Sequence, residues 1–168
     1  MARTSYAIAL GSNRRHGRHG DPADVIGAAV AAMAAAGLRI DAHSPLIRSA
    51  AIGPAGRGFV NGAVLVSTTL DPPALLATLK RIEAAFGRRR GRRWGPRVID
   101  LDLALWSAGR WPPGPRRAAA GRLAIPHGQL SARDFVLRPL AAIVPGWQDP
   151  WSARTVRQLR AALLRRRL

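Results

Sequence analysis

The stretch Arg93-Trp94-Gly95-Pro96-Arg97-Val98-Ile99-Asp100-Leu101-Asp102-Leu103 guides the interpretation of the whole chain. Its apolar residues favour a strand, and in a strand residues i and i+2 point to the same face. Asp100 and Asp102 should therefore project together from one face of this strand. The positions expected to face a core on the other side are Ile99, Leu101, Leu103 and Leu105.

Two carboxylates on one face repel each other unless a cation lies between them. The loop before the strand offers cations in Arg88, Arg89, Arg90, Arg92, Arg93 and Arg97. A divalent metal that carries phosphate groups would satisfy both the acidic pair and this basic loop. The alternative is an acidic pair on a solvent-facing strand that surface arginines neutralise. The spacing alone leaves both interpretations open.

Composition limits the classes of protein to consider. A chain of 168 residues predicts one domain over residues 1–168 with a substantial core. The absence of cysteine excludes disulfides and thiolate metal sites. No segment is apolar over the roughly 20 residues that a membrane span needs, and the N-terminus lacks the pattern of a signal peptide, so we expect a cytoplasmic protein.

The net charge of +18 is extreme for a chain of this size. A charge of this sign indicates polyanionic partners, either nucleic acid or nucleotide phosphates. The chain is also rich in Ala, Arg, Gly and Pro together, which is typical of genome-wide codon bias. Charge alone does not choose between these explanations.

Helix and strand signals occur in a recognisable order. The predicted elements are a strand at 5–10, a helix from Pro22 to a stop at Gly37, strands at 38–47 and 59–69, a helix from Pro72 to Gly87, and a strand at 98–106. Asp-Pro pairs start both helices and glycines end them. This βαββαβ order predicts an α+β ferredoxin-like fold, with helices packed on an antiparallel four-stranded sheet. A helix over 135–144 and a final helix capped by Ser152 are appended.

Six short motifs occur in order over nearly the whole chain. They are Ala9-Leu10-Gly11-Ser12-Asn13, Gly53-Pro54 with Phe59-Val60-Asn61, Arg81-Ile82-Glu83 with Gly87-Arg88, Arg93–Arg97 running into Asp100-Leu101-Asp102, Ile125-Pro126-His127, and Arg133 with Phe135-Val136-Leu137 and Pro139-Leu140. Together they resemble the 6-hydroxymethyl-7,8-dihydropterin pyrophosphokinase family. The fourth motif is the most specific of the set.

The resemblance implies an activity in folate biosynthesis. A pyrophosphoryl group passes from ATP to the hydroxymethyl group of the pterin, and AMP is released. The resemblance also implies two magnesium ions held by Asp100 and Asp102, and Mg²⁺ typically binds one or two carboxylates together with substrate phosphates. The implied partners are ATP and the pterin, with neither a membrane nor nucleic acid. The family precedent is a monomer, or sometimes a weak dimer.

The resemblance assigns the remaining site residues position by position. The phosphate-contacting catalytic positions are Arg88, Arg90, Arg93, Arg97, His127 and Arg133. The nucleotide-binding positions are Glu83, Leu103, Arg122 and Leu123. The pterin positions are Phe59 and Phe135 as a stacking pair, Asn61 at the ring edge and Trp94 as a loop cover.

Several of these residues have a structural alternative. Arg88 and Arg89 are also suited to complement the dipole at the end of a helix. His127 is also suited to a turn after Pro126, and Phe59 and Phe135 are of a type that is common in cores. Glu83 opposes the helix dipole, so the arginines must offset its charge unless it has a separate task.

The chain departs from the family pattern in three places. The loop after Asn13 is longer and more basic, and the loop between Gly87 and Trp94 is about one residue shorter. At the third place, Gly128 and Ala104 stand where the family usually has larger residues. Both aspartates are intact, so these departures predict an enzyme that is slow or differently tuned.

Two other functions compete with this one. RNA-recognition domains share the ferredoxin-like topology, but they need exposed aromatic residues on their central strands to stack bases. The predicted strands carry few aromatic residues, and the acidic pair would repel a phosphate backbone. A non-catalytic relative that only binds a pterin is the third interpretation, and the intact acidic pair argues against it.

Overall fold

The computed structural model describes residues 2–49, 58–87 and 98–168. The strands are β1 (Thr4–Ser12), β2 (Arg39–His43), β3 (Ile47–Ser49), β4 (Phe59–Thr68) and β5 (Asp100–Trp106). The helices are α1 (Pro22–Ala35), α2 (Pro72–Ala85), α3 (Asp134–Ile143) and α4 (Val156–Arg165), with a 3₁₀ turn at Leu130–Ala132. Within these ranges, no helix is both long and apolar enough to cross a membrane.

The strands form one antiparallel sheet in the order β2-β4-β1-β5, and β3 pairs with β4. Strand β1 is central and pairs with a neighbour on each side. This arrangement confirms the predicted α+β fold with an antiparallel sheet and appended C-terminal helices. The prediction of a single domain over residues 1–168 stays a prediction.

The predicted strand over 38–47 is interrupted, so the sheet has five strands rather than four. The break falls at Ser44-Pro45-Leu46, where Pro45 has no N–H to give to a ladder. The Ser44 side chain replaces part of the pairing, because its Oγ accepts a hydrogen bond from the Ala63 N–H at 2.9 Å. The chain then resumes pairing with β4 as β3.

The sheet separates two hydrophobic cores. One core lies under α1 and α2, and its buried residues include Tyr6, Ile8, Val25, Met33, Leu75, Leu79 and Leu101. The other lies under α3 and α4, and its buried residues include Ala7, Ala9, Ala63, Leu137, Leu140 and Val156. The alanines leave room for α3 to pack directly on β4 and β1.

Strand β5 contains an irregularity at Ala104, where its register with β1 shifts between Leu103 and Leu105. An extra residue reverses the faces of a strand beyond it. Leu105 therefore packs in the core of α3 and α4, and the prediction that it shares a core with Leu103 is wrong. The carbonyl of Ala104 accepts a hydrogen bond from the His127 N–H at 3.1 Å, which ties the following loop to this strand.

The predicted helix start at Asp71 is confirmed, since its carboxylate accepts a hydrogen bond from the Ala74 N–H at 2.9 Å. The predicted start of the last helix at Ser152 is wrong. Thr155 caps α4 instead, in reciprocal hydrogen bonds with Gln158. A capping box of this kind satisfies two backbone N–H groups, whereas a serine three residues earlier lies too far from the first turn.

Tyr6 is the single tyrosine of the chain and is fully buried on β1. Its hydroxyl donates a hydrogen bond to the Leu70 carbonyl at 2.8 Å. Burial raises the pKa of the Tyr6 hydroxyl above its usual value of 10.0, the nearby charge of Asp71 adds to this, and a hydrogen bond with Thr4 acts in the opposite direction.

We predict that Tyr6 ionises at a higher pH in the native protein than in the unfolded chain. Tyrosinate absorbance would follow this group alone, and the unfolded chain in guanidinium should titrate near the usual pKa of 10.0. Because folding favours the neutral hydroxyl, this contribution to stability is complete below the unfolded pKa and is lost as pH rises through the folded pKa. Identical midpoints in the two states would contradict the prediction, and Tyr6→Phe supplies the baseline.

Candidate active site

A cavity of about 360 Å³ opens on the α3 side of the sheet, where β1, β4 and β5 meet the first turn of α3. It has the size of a small-molecule site. Its lining residues are Ala9, Leu10, Gly11, Ser49, Phe59, Asn61, Asp100, Asp102, Arg133, Phe135 and Val136. The structure thus brings together both predicted metal ligands, three of the predicted pterin residues and one predicted phosphate contact.

Asp100 and Asp102 lie half-buried at the start of β5, opposite Gly11 and Ala9 of β1. The two carboxylates occupy the same face of the strand, as the sequence predicted. In the part of the chain that the structure describes, no group of three or more His, Asp or Glu residues is placed to hold a metal ion. A metal at this pair must therefore complete its coordination with other ligands, and a pair of carboxylates with substrate phosphates and water is a donor set that suits Mg²⁺.

Glu83 lies on the opposite side of the same strand. Only 1% of its surface is exposed, and its Oε1 accepts a hydrogen bond from the Leu101 N–H at 2.8 Å. Its Oε2 lies 3.0 Å from the Lys80 ammonium. Because Leu101 stands between the two aspartates, Glu83 holds the strand where the acidic pair projects. A contact between Glu83 and the nucleotide stays a prediction.

The aromatic pair comes from two distant parts of the chain. Phe59 begins β4 and Phe135 lies in the first turn of α3, and both line the cavity. Asn61 is 5% exposed, and its Nδ2 donates a hydrogen bond to Ser49 Oγ at 2.8 Å. A flat ring with hydrogen-bonding edges matches this combination of two aromatic rings and one amide.

Of the two predicted phosphate contacts in the described part of the chain, Arg133 lines the cavity and His127 does not. The guanidinium of Arg133, an exposed residue at the start of α3, lies 5.7 Å from the Phe135 ring. His127 Nδ1 accepts a hydrogen bond from the Gln129 N–H at 3.2 Å. Since Nδ1 is an acceptor, the neutral imidazole carries its proton on Nε2, and that N–H is a donor suited to a phosphate oxygen.

The other predicted residues fall outside the cavity lining. Leu103 is buried in the core of α1 and α2, Leu123 packs on that core, and Arg122 is exposed in the loop after β5. Contacts of these three residues with a nucleotide stay predictions. The predicted residues outside the described ranges are Arg88, Arg90, Arg93, Trp94 and Arg97.

Sequence reasoning gave no site role to five of the lining residues, Ala9, Leu10, Gly11, Ser49 and Val136. Two of these, Gly11 and Ser49, lie directly beside Asn61. A Cβ atom at Gly11 would lie 3.2 Å from Asn61 Oδ1 and 3.8 Å from Phe59 Cδ1, so the glycine keeps space for the amide and the ring. Gly11 was interpreted as the end of a strand, yet β1 continues through Ser12. Ser49 carries no sequence signal, because its position opposite Phe59 depends on the pairing of β3 with β4.

Comparison with known proteins identifies the family of the chain. Residues 7–145 match the family model of 7,8-dihydro-6-hydroxymethylpterin-pyrophosphokinase. The chain belongs to this family. The match confirms the predicted family and favours the pyrophosphokinase over a nucleic-acid-binding module.

Curated pyrophosphokinase relatives cover most of the chain. The 2-amino-4-hydroxy-6-hydroxymethyldihydropteridine pyrophosphokinase of Synechocystis is 43% identical over 144 residues, which are 85% of this chain and 70% of that protein. The protein of the same name from Pseudomonas aeruginosa is 40% identical over 145 residues, 85% and 82% of the two chains. Both proteins are named for the activity that the family description gives.

A solved structure supports the fold. The wild-type HPPK-DHPS of Plasmodium falciparum superposes with a TM-score of 0.71 at 15% identity. The superposition covers 98% of this chain but 42% of that chain, so this pyrophosphokinase-family chain spans less than half of the longer protein. At this identity the likeness concerns the fold alone.

We predict that Glu83→Ala lowers the free energy of unfolding by about 1–3 kcal/mol, because it leaves the buried Leu101 N–H without its acceptor. Glu83→Gln keeps an oxygen at the same place and should lose less. Urea unfolding of both variants measures the difference. Equal stability of Glu83→Ala and wild type would show that this hydrogen bond does not hold β5.

Proposed function

We propose that this chain transfers the pyrophosphoryl group of ATP to the hydroxymethyl oxygen of 6-hydroxymethyl-7,8-dihydropterin. The bond between the β-phosphorus and the α,β-bridging oxygen breaks, a bond forms from the hydroxymethyl oxygen to the β-phosphorus, the hydroxyl proton is lost, and AMP leaves. One observation carries the proposal: an acidic pair suited to a metal–phosphate complex and an aromatic–amide set suited to a pterin line the same cavity.

The acidic end of the cavity is proposed to hold two magnesium ions through Asp100 and Asp102. Ions bound there would neutralise charge on the triphosphate and on the attacking and leaving oxygens. The half-buried position of the pair supports this role, because electrostatic interactions strengthen where water is partly excluded. The hydrogen bond from the Leu101 N–H to Glu83 fixes the strand between the two aspartates, which would keep both carboxylates directed toward bound ions.

The pterin is proposed to lie between Phe59 and Phe135 with its polar edge against Asn61. Aromatic rings favour offset or edge-to-face contact with a flat ligand. The Ser49 hydroxyl holds the Asn61 amide in one orientation, which reduces the cost of ordering it on binding. Trp94 is proposed as a loop residue that covers this site.

The phosphates are proposed to contact Arg133 and His127 Nε2–H. The N-terminus of α3 begins beside the cavity and adds partial positive charge that favours an anion. The loop arginines Arg88, Arg90, Arg93 and Arg97 are proposed as further contacts, because a guanidinium binds two phosphate oxygens at once.

Adenine is proposed to lie along β5 near Leu103, Leu123 and Arg122, with Glu83 nearby. In the part of the chain that the structure describes, β5 is the terminal strand of its sheet, and no strand pairs with its edge away from β1. Backbone groups on such an edge are suited to hydrogen bonds with a base.

We further propose that the protein is cytoplasmic and is a monomer or a weak dimer. Sedimentation at several protein concentrations would distinguish the monomer from the dimer.

We predict that Asp100→Asn or Asp102→Asn reduces turnover by several orders of magnitude with little change in stability. The amide keeps the shape of the side chain but removes the charge that holds a divalent ion. A coupled assay for AMP release, with and without the hydroxymethyl pterin, measures the rate. Asp21→Asn, on the exposed start of α1, is the matched control. AMP release that persists in the aspartate variants would refute their role.

Gly11→Ala should weaken pterin binding about 10-fold, because the added methyl group crowds the Asn61 amide and over-packing costs on the order of 1–3 kcal/mol. Titration of the pterin by fluorescence or calorimetry measures the change. Gly27→Ala is the matched control, since a Cβ there meets no atom within 4 Å. Unchanged pterin binding in Gly11→Ala would place the ring elsewhere.

A further inference from the structure

Trp151 is contacted by two guanidinium groups. The Arg110 carbon Cζ lies 4.6 Å from the indole centroid and the Arg117 Cζ lies 4.8 Å from it. Both distances fall within the roughly 6 Å at which a cation is attracted to an aromatic face. Two like charges are thus held on one ring, and both belong to the loop that follows β5.

This loop, residues 107–126, is closed at its base by backbone hydrogen bonds and has a long exposed segment beyond that base. At its base, Trp111 and Ile125 exchange two backbone hydrogen bonds of 2.9 and 3.0 Å. Trp111 also packs edge-on against Trp106 of β5. Residues 112–124 run between these points, and most of them are exposed. Arg110 lies next to the base and Arg117 lies in the exposed segment, so Trp151 connects the base of the loop to that segment.

The turn that contains Trp151 is itself held by hydrogen bonds. Trp151 lies in a tight turn, where the Asp149 carboxylate accepts from the Trp151 N–H at 3.0 Å. The Asp149 N–H donates to the Arg154 carbonyl at 2.9 Å, and Gln148 and Thr155 form a bridge just outside it. The turn leads directly into α4, whose Val156 is buried in the second core. Trp151 is therefore held in place, and it contacts a loop whose exposed residues make few other contacts with the rest of the protein.

The same loop carries Arg122 and Leu123, which are proposed above to lie beside the adenine. We infer that Trp151 is a positioning residue for the nucleotide: by binding Arg110 and Arg117 it holds loop 107–126 in the conformation that presents Arg122 and Leu123. This inference rests on the proposed function. A loop that is already ordered does not have to be ordered when the nucleotide binds. Loss of the contact between Trp151 and the two arginines should therefore weaken adenine binding and leave the chemical step unchanged.

The test compares Trp151→Ala and Arg117→Ala with Arg116→Ala. Arg116 is the exposed neighbour of Arg117, and its replacement removes the same charge. The probes are the magnesium complexes of the ATP analogue with a methylene group between its α- and β-phosphates and of inorganic tripolyphosphate. We expect Trp151→Ala and Arg117→Ala to raise the Kd of the analogue about 3- to 10-fold.

The Kd of tripolyphosphate, kcat and the KM of the pterin should stay near their wild-type values. Trp151→Phe, which keeps an aromatic face, should restore most of the affinity. Equal effects of Arg116→Ala and Arg117→Ala would overturn the inference in favour of net charge, and a parallel loss of tripolyphosphate binding would overturn it in favour of general damage. If Trp151→Ala does not fold, Arg117→Ala against Arg116→Ala decides the question.

The outcome for the wild type separates this inference from the proposed function. A wild-type protein that binds neither the analogue nor tripolyphosphate overturns the proposed function, and the positioning role with it. Wild-type binding that none of the variants alters overturns the positioning role alone.

Discussion

Strand β1 carries two different faces, and both the packing and the site depend on them. Its even-numbered residues, Tyr6, Ile8 and Leu10, are large and buried under α1 and α2. Its odd-numbered residues, Ala7, Ala9 and Gly11, are small and face α3 and the cavity. Because β1 is paired on both sides, a one-residue shift of its register would turn the large residues toward α3 and the small ones toward α1 and α2. The two alanines leave space for α3 to pack on the strand, and Gly11 leaves space in the cavity.

The buried carboxylate of Glu83 connects α2 to the strand that carries the acidic pair. Glu83 accepts a hydrogen bond from the backbone between Asp100 and Asp102, and Lys80 balances part of its charge. A buried charge is costly unless hydrogen bonds and an opposite charge compensate it. The hydrogen bond ties the backbone between the two aspartates to α2, so α2 helps to fix the direction in which the pair projects.

The family assignment and the cavity rest on different observations. The family match rests on residue identity along 7–145. The cavity instead depends on the packing of β1, β4, β5 and α3, which brings Phe59 and Phe135 to one space although 75 intervening positions separate them. The loop after β5 is attached to this frame at two places, through the bridge of Trp111 with Ile125 and through the contacts of Trp151.

The sequence by itself determined the order of elements, the starts of α1 and α2, and the projection of both aspartates to one side. These features are local, because they depend on the periodicity of side chains and on Asp-Pro and glycine signals. Tertiary structure alone decided the interruption of the second strand at Pro45, the reversal of faces at Ala104, and the places of Gly11 and Ser49 in the cavity. Each of these depends on which strand lies alongside and in what register, and a single segment of sequence carries no record of its neighbours.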